Sequence, residues 1–62
     1  MAAKLHVRRP SGAVVLFLAE RCTVANGLVT AFGVWKDLPD RPAQDYSWPT
    51  RRVLEIVWGA PR

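Results

Sequence analysis

The stretch Thr23-Val24-Ala25-Asn26-Gly27-Leu28-Val29-Thr30 decides the fold, because it places an Asn-Gly pair between two runs rich in β-branched residues. A two-residue type I′ turn requires positive φ at both central positions, and Asn and Gly adopt it most readily. Such a short loop also fixes the register, so Val24 is predicted to face Val29. Two residues further from the turn, Cys22 is predicted to face Ala31. The stretch therefore predicts an antiparallel hairpin with one dry face and one mixed face.

The segment before this hairpin is an unbroken apolar run over residues 13–19. Periodicity does not separate a strand from a buried helix in such a run, and residues 18–21 are good helix formers. The length of the run and its Val14-Val15 pair favour a strand that is covered on both faces. Glu20-Arg21 then brings charge into the ladder, so we expect a bulge or bend within one long strand over residues 13–25.

The rest of the chain contains further strand patterns separated by proline-rich breaks. Apolar and polar residues alternate before Pro10 and again after Arg52, which is typical of half-buried strands. Two prolines and mixed charge mark an exposed loop before Tyr46, and Pro49 marks a turn. We expect strands near residues 4–9, 13–25, 28–36 and 53–58, a loop over 37–45, a turn at 49–51 and a tail over 59–62. The predicted fold is a single all-β domain of four to five strands, either a small antiparallel sheet or a partly open barrel.

The size of the chain limits how stable it can be alone. A chain of 62 residues buries only about 60% of its extended-chain surface on folding. It has one cysteine and one histidine, too few for an internal disulfide or a structural zinc site. Half of its residues are apolar and three are tryptophans. We therefore expect the protein to associate with itself, as a homodimer or a higher oligomer.

The charge of the chain is positive, +4 at neutral pH. Such a balance favours acidic partners such as nucleic acid, although an ordinary charged surface accounts for it too. No apolar signal segment follows Met1, so we expect a cytoplasmic protein. Residues 13–35 have about the length of a membrane span. Glu20 and Arg21 would cost about 2.5–3.5 kcal/mol each inside a bilayer, so membrane insertion is not expected.

The reactive side chains of the sequence do not form a recognisable catalytic group. The candidates are Glu20, Glu55, His6 and Cys22, and no two of them stand at a spacing that indicates chemistry. His6 falls on the polar side of a predicted strand, and Cys22 is expected to be a small core residue. The sequence therefore predicts a protein that is not an enzyme and has no cofactor or metal.

Two arginine pairs and two neighbouring aromatic residues form the candidate partner surface. Tryptophan and arginine are common at protein-binding hot spots, whereas arginines beside aromatic rings also bind nucleic acid. Three aspartates at 37, 40 and 45 would repel phosphate, so a protein-interaction or accessory module for a host or phage protein is the first interpretation and a nucleic-acid binder the alternative. Trp48 is interpreted as either a core or a contact residue. The predicted partner-binding residues are Arg8, Arg9, Tyr46, Trp48, Arg51 and Arg52.

The order of these features resembles small Sm-like or SH3-like β-barrel proteins of actinobacteria and their phages. The likeness covers most of residues 4–58: a bent strand, an Asn-Gly return strand, a variable loop, and the aromatic-Pro turn and closing strand Tyr46-Ser47-Trp48-Pro49…Arg52-Val53-Leu54-Glu55-Ile56. It implies a small Sm-like or SH3-like β-barrel fold of the kind found in actinobacteria and their phages, and the accessory role remains one interpretation of the chain's composition. The chain lacks the Asp/Asn and Arg-Gly RNA-contact motifs of the Sm family, so the resemblance concerns the fold and not RNA recognition.

Overall fold

The fold is a single five-stranded antiparallel sheet, seen in a computed structural model that describes residues 2–59. The strands follow the sheet order β4-β3-β2-β1-β5, and the sheet is not closed into a barrel. The prediction of a small all-β antiparallel fold is confirmed. Residues 60–62 of the predicted tail lie outside the described residues. The elements are β1 Ala3–Arg8, β2 Val14–Ala25, β3 Leu28–Trp35, β4 Gln44–Pro49, a 3-10 turn Thr50–Arg52, and β5 Val53–Trp58.

The hairpin predicted at the Asn-Gly pair is confirmed. Asn26 and Gly27 have φ values of 53° and 74°, as a type I′ turn requires. Val24 pairs with Val29, and the predicted register continues away from the turn to Cys22 opposite Ala31. The turn therefore sets which face of β2 and β3 points into the core.

The bend predicted within the long strand is a bulge at Glu20. Ala19 pairs with Gly33 and Arg21 pairs with Phe32, which leaves Glu20 as the extra residue. The Arg21 guanidinium lies 4.5 Å from the centroid of the Phe32 ring, a cation–π contact that stabilises the far side of the bulge. At Gly33 the two strands come unusually close. A Cβ there would overlap the carbonyl oxygen of Leu18 and lie 2.8 Å from the Cα of Ala19.

The expectation that the apolar run is covered on both faces is wrong. Phe17 and Ala19 are buried, but Leu16 and Leu18 on the opposite face are only half-buried and Val14 is 47% exposed. Every strand of the described chain belongs to the same sheet, so no second layer is left to cover that face. The run is a strand, as expected, but with one covered face.

The loop predicted over residues 37–45 is shorter than expected, because β4 begins at Gln44 and pairs with β3. Polar Asp45 and Ser47 alternate with aromatic Tyr46 and Trp48, which is the period-two pattern of a strand. Pro49 follows directly and is typical of a turn, so the sequence alone did not indicate this strand. Pro49 is the last residue of this edge strand, where the missing N–H does no harm. The turn that follows is displaced by one residue from the predicted 49–51.

The core lies on one face of the curled sheet, which we call the inner face. Its largest fully buried side chains come from the three middle strands, and the two edge strands add half-buried aromatic and aliphatic residues. No buried side-chain oxygen or nitrogen in the described part lacks a hydrogen-bond partner. The buried core residues are Ala3, Leu5, Val7, Phe17, Ala19, Cys22, Val29, Ala31 and Trp35.

The close approach at Gly33 yields a testable prediction. Gly33→Ala should lower the free energy of unfolding by about 3 kcal/mol or more, because the added methyl group forces the backbone of β2 away. Gly27→Ala is the matched control, since its Cβ meets open space and only the positive φ is strained. That control should cost about 1 kcal/mol. Urea denaturation of both variants tests this, and equal losses would contradict it.

Candidate functional site

A cleft of about 440 Å³ opens on the inner face where β1, β3, β4 and the 3-10 turn converge. Strand ends and connecting segments supply most of its wall, since the cleft lies beside the turn after β1 and the loop after β3. Three aromatic rings and four arginines take part. The lining residues are Val7, Arg8, Arg9, Pro10, Trp35, Leu38, Arg41, Tyr46, Trp48 and Arg52.

The floor of the cleft is a cluster of three aromatic rings around the buried Phe17. The Phe17 ring meets those of Trp35, Tyr46 and Trp48 edge-to-face, with centroids 5.1, 5.3 and 5.2 Å away. Tyr46 and Trp48 lie two residues apart on β4, so both side chains stand on the inner face. Their rings are parallel within 2° at a centroid distance of 5.8 Å. Each such pair contributes about 0.5–1.5 kcal/mol beyond its buried area, so the floor is held rigidly.

Arg9 joins the floor to the rim. Its guanidinium lies 4.4 Å from the centroid of the Trp35 ring and donates hydrogen bonds of 2.8 and 2.9 Å to the two carboxylate oxygens of Asp37. The backbone fixes its position, because the Arg9 N–H donates to Ala13 and its carbonyl accepts from Gly12. Both partners of the ion pair are partly exposed, so it contributes about 0–1 kcal/mol to stability. Another anion can therefore compete with Asp37 for this guanidinium.

The remaining charge at the cleft is positive. Within residues 2–59, Arg9–Asp37 is the only ion pair closer than 4.0 Å, so Arg8, Arg41 and Arg52 make none. Of the three aspartates expected to repel phosphate, Asp37 is neutralised by Arg9. Asp45 stands across from Phe32, on the face away from the cleft, and Asp40 is an exposed loop residue that does not line the cleft.

Five of the six predicted partner-binding residues line this cleft, and Arg51 is the exception. Arg51 is exposed in the 3-10 turn, and its neighbour Arg52 is the one that reaches the site. Trp48 is neither purely core nor purely surface, because it is half-buried against the core and also lines the cleft.

Sequence reasoning missed Trp35 and Arg41 as cleft residues. Trp35 closes β3 on the inner face, and its alternation with Gly33 and Ala31 marks that face once the hairpin register is known. Arg41 lies in the loop after β3 among acidic residues, so its surroundings have mixed charge. No local pattern in the sequence identifies it as a cleft residue. The sequence therefore shows which residue types form the site but not all of its members.

The reactive groups elsewhere are dispersed. Cys22 is a buried free thiol, and burial raises its pKa, which lowers its reactivity. His6 and Glu55 face each other across β1 and β5, away from the cleft. No cluster of three His, Cys, Asp or Glu side chains in residues 2–59 could hold a metal ion. The same residues contain no helix of the length and apolarity that a bilayer crossing needs.

No protein-family model, curated protein or solved structure matches this chain. The resemblance to Sm-like and SH3-like proteins stays a prediction.

The double role of Trp48 yields a stability prediction. Trp48→Ala should cost about 3 kcal/mol or more, because it removes contacts with the rings of Phe17 and Trp35. Trp48→Phe should keep most of the stability, since a smaller ring still meets Phe17 edge-to-face. Thermal unfolding of both variants measures the difference. An alanine variant as stable as the wild type would show that the ring contributes nothing to the core.

Proposed function

We propose that the protein is a small, non-enzymatic binding module that holds a single-stranded nucleic acid in the aromatic–arginine cleft. The observation that carries this proposal is a single cleft lined by four arginines and three aromatic residues, of which Tyr46 and Trp48 are half-buried and Trp35 is buried. An anionic backbone with flat apolar bases matches both halves of that surface. The first interpretation of the sequence, a protein-interaction module, becomes the second candidate.

The arginines support an anionic ligand. Arg8, Arg41 and Arg52 have no carboxylate partner within 4.0 Å, so their charge is available to phosphate. Arg9 holds Asp37 only through a partly exposed pair, which a phosphate can replace at little cost. The arginines that line the cleft would bind several successive phosphates and release their counterions.

The aromatic residues support single strands over duplexes. Bases in a duplex are stacked on each other, so their flat faces do not reach side chains such as Trp48 and Tyr46. Stacking of an unpaired base on an aromatic ring is worth about 1–3 kcal/mol and depends little on sequence. The described chain also has no helix longer than the three-residue turn to enter a major groove. We therefore expect binding with weak sequence preference.

An acidic protein segment is the second candidate, and the aliphatic part of the lining favours it. Val7, Pro10 and Leu38 add apolar surface beside the rings. Tryptophan and arginine in such surroundings are the residue types that dominate protein-binding hot spots. The salt dependence separates the two candidates, because phosphate binding releases condensed counterions and weakens steeply with salt.

The proposed function is tested by titrating the protein with oligo-dT and oligo-U of twelve nucleotides, a duplex of the same length and an acidic peptide. Tryptophan fluorescence reports on the cleft directly, because Trp35 and Trp48 line it. We expect quenching by single strands with a log K against log salt slope of about −2 to −3, as three to four neutralised phosphates would give. No quenching by either oligonucleotide, or tighter binding of the peptide, would refute the proposal.

The two consecutive arginines of the 3-10 turn provide a matched pair of variants. Arg52→Gln should weaken oligonucleotide binding about 3- to 10-fold and reduce the salt slope by about 0.7, because one phosphate contact is lost. Arg51→Gln removes the same charge from a residue outside the cleft and should change binding less than 2-fold. Equal effects of the two substitutions would indicate binding through net charge alone.

The Arg9–Asp37 pair predicts a variant that binds oligonucleotides more tightly, the opposite of the effect expected for Arg52→Gln. Asp37→Asn should tighten oligonucleotide binding, because it removes a carboxylate from the rim and leaves Arg9 free for phosphate. The unfolding free energy should change by less than about 1 kcal/mol, as is usual for an exposed ion pair. Asp40→Asn, an equal charge change at a carboxylate that does not pair with Arg9, is the control. Binding unchanged or weakened in the Asp37 variant would contradict a role for Arg9.

A further inference from the structure

The outer face of the sheet, opposite the core, carries an apolar patch that no part of the described chain covers. Because all five strands lie in one sheet, this face has no second layer. Val14 and Val57 are 47% and 46% exposed; Leu16, Leu18, Phe32 and Val34 are half-buried, and the exposed Lys4 lies between Leu18 and Val57. The register places Val34, Leu18, Lys4 and Val57 in one row across β3, β2, β1 and β5. We define the outer patch as Val14, Leu16, Leu18, Phe32, Val34 and Val57.

We propose that the outer patch is the interface of a homodimer, in which two copies pack these faces against each other. Leu16 and Leu18, the middle of the patch, lie on the central strand of the sheet. A two-fold arrangement can therefore overlay the two patches fully, whereas a patch near an edge would leave much of its area exposed. This inference does not depend on the proposed function, because the cleft opens on the inner face.

The available area is consistent with a stable dimer. The molecule measures 28 × 24 × 18 Å, so its broad face projects to roughly 670 Å², and an interface near the ~800 Å² per partner of a standard complex must use the whole outer face and not the patch alone. Sheets that pack face to face are held by side chains of this aliphatic kind, about 10 Å apart.

The edges of the sheet are less suited to association than its face. The edge strand β4 ends at Pro49, which has no N–H to donate, and leads into the 3-10 turn. The other edge strand, β5, has an irregular register opposite His6 and Val7, with Leu54 as the extra residue. Both features interrupt the row of unpaired backbone groups that a further strand would need.

Charge on the outer face favours a second copy over a lipid surface. The outer face carries charges of both signs: Lys4 lies within the patch, Arg8 and Arg21 lie opposite Val14 and Phe32, and the carboxylates of Asp45 and Glu55 lie on the two edge strands. None of these five charged residues forms an ion pair within 4.0 Å in the described chain. A second copy offers each of them a partner of opposite charge. An anionic membrane would attract Lys4 but repel Glu55, and burying that carboxylate without a partner is costly.

The test compares valines of equal exposure on opposite faces of the sheet. Val14 and Val24 are both on β2 and both 47% exposed, but Val24 shares the face of Val29 and lies outside the patch. The wild type should sediment at twice its 6.9 kDa mass at micromolar concentration. Val14→Lys and Val57→Lys should each weaken dimerisation at least 10-fold, and Val24→Lys should change it less than 2-fold. Circular dichroism establishes that every variant is folded.

Three outcomes would overturn the proposal. The first is a wild type that remains monomeric up to 100-fold above micromolar concentration. The second is equal dimerisation of the Val14 and Val24 variants, which would move the interface to another surface. The third is a monomer that binds vesicles of anionic phospholipid and loses that binding in Val14→Lys, which would make the patch a lipid-binding surface. Oligonucleotide titration of the same variants reports on the cleft separately.

Discussion

The close backbone contact between Gly33 and Leu18 is the constraint on which the rest of the structure depends. It coincides with the bulge at Glu20, where β2 gains one residue relative to β3 and the sheet bends. The bend lets a single sheet curl around its own inner face, so Phe17 is fully buried although no second layer exists. Without that curl, the rings contributed by β3 and the edge strand β4 would not all reach Phe17.

The aromatic cluster shows how a chain of this size combines a core with a candidate binding site. A 62-residue protein has too few side chains to assign separate sets to stability and to recognition. Trp35 and Trp48 therefore pack against Phe17 and also line the cleft. Arg9 extends the arrangement, since its guanidinium stacks on Trp35 while its N–H groups point to Asp37. Rigid rings lose little conformational entropy when a ligand docks on them, so the packing that stabilises the fold also prepares the site.

The parts of the fold that the sequence predicted are those that depend on local chemistry. The Asn26-Gly27 turn, its register and the bulge at Glu20 follow from backbone preferences and from charge within an apolar strand. The strand β4 was not predicted, because its alternating pattern is short and ends at Pro49, a residue that is typical of a turn. The prediction that the apolar run over residues 13–19 is covered on both faces was wrong. Apolar residues indicate that a surface avoids water, but they do not indicate which part of which chain covers it. Arg41 and Trp35 reach the cleft through the non-local pairing of strands, which no local pattern contains.

The two faces of the sheet are linked through the free energy of folding. Any ligand that binds only the folded state stabilises it by RT ln(1 + [L]/Kd), and a second copy of the chain acts in the same way. A dimer that covers the outer patch would add stability without using a single cleft side chain. The inner face could then keep half-exposed rings and unpaired arginines, which are features that a lone small domain would lose stability by retaining. Covering Leu16, Leu18 and Val34 therefore offers a physical reason why Tyr46 and Trp48 need not be fully buried.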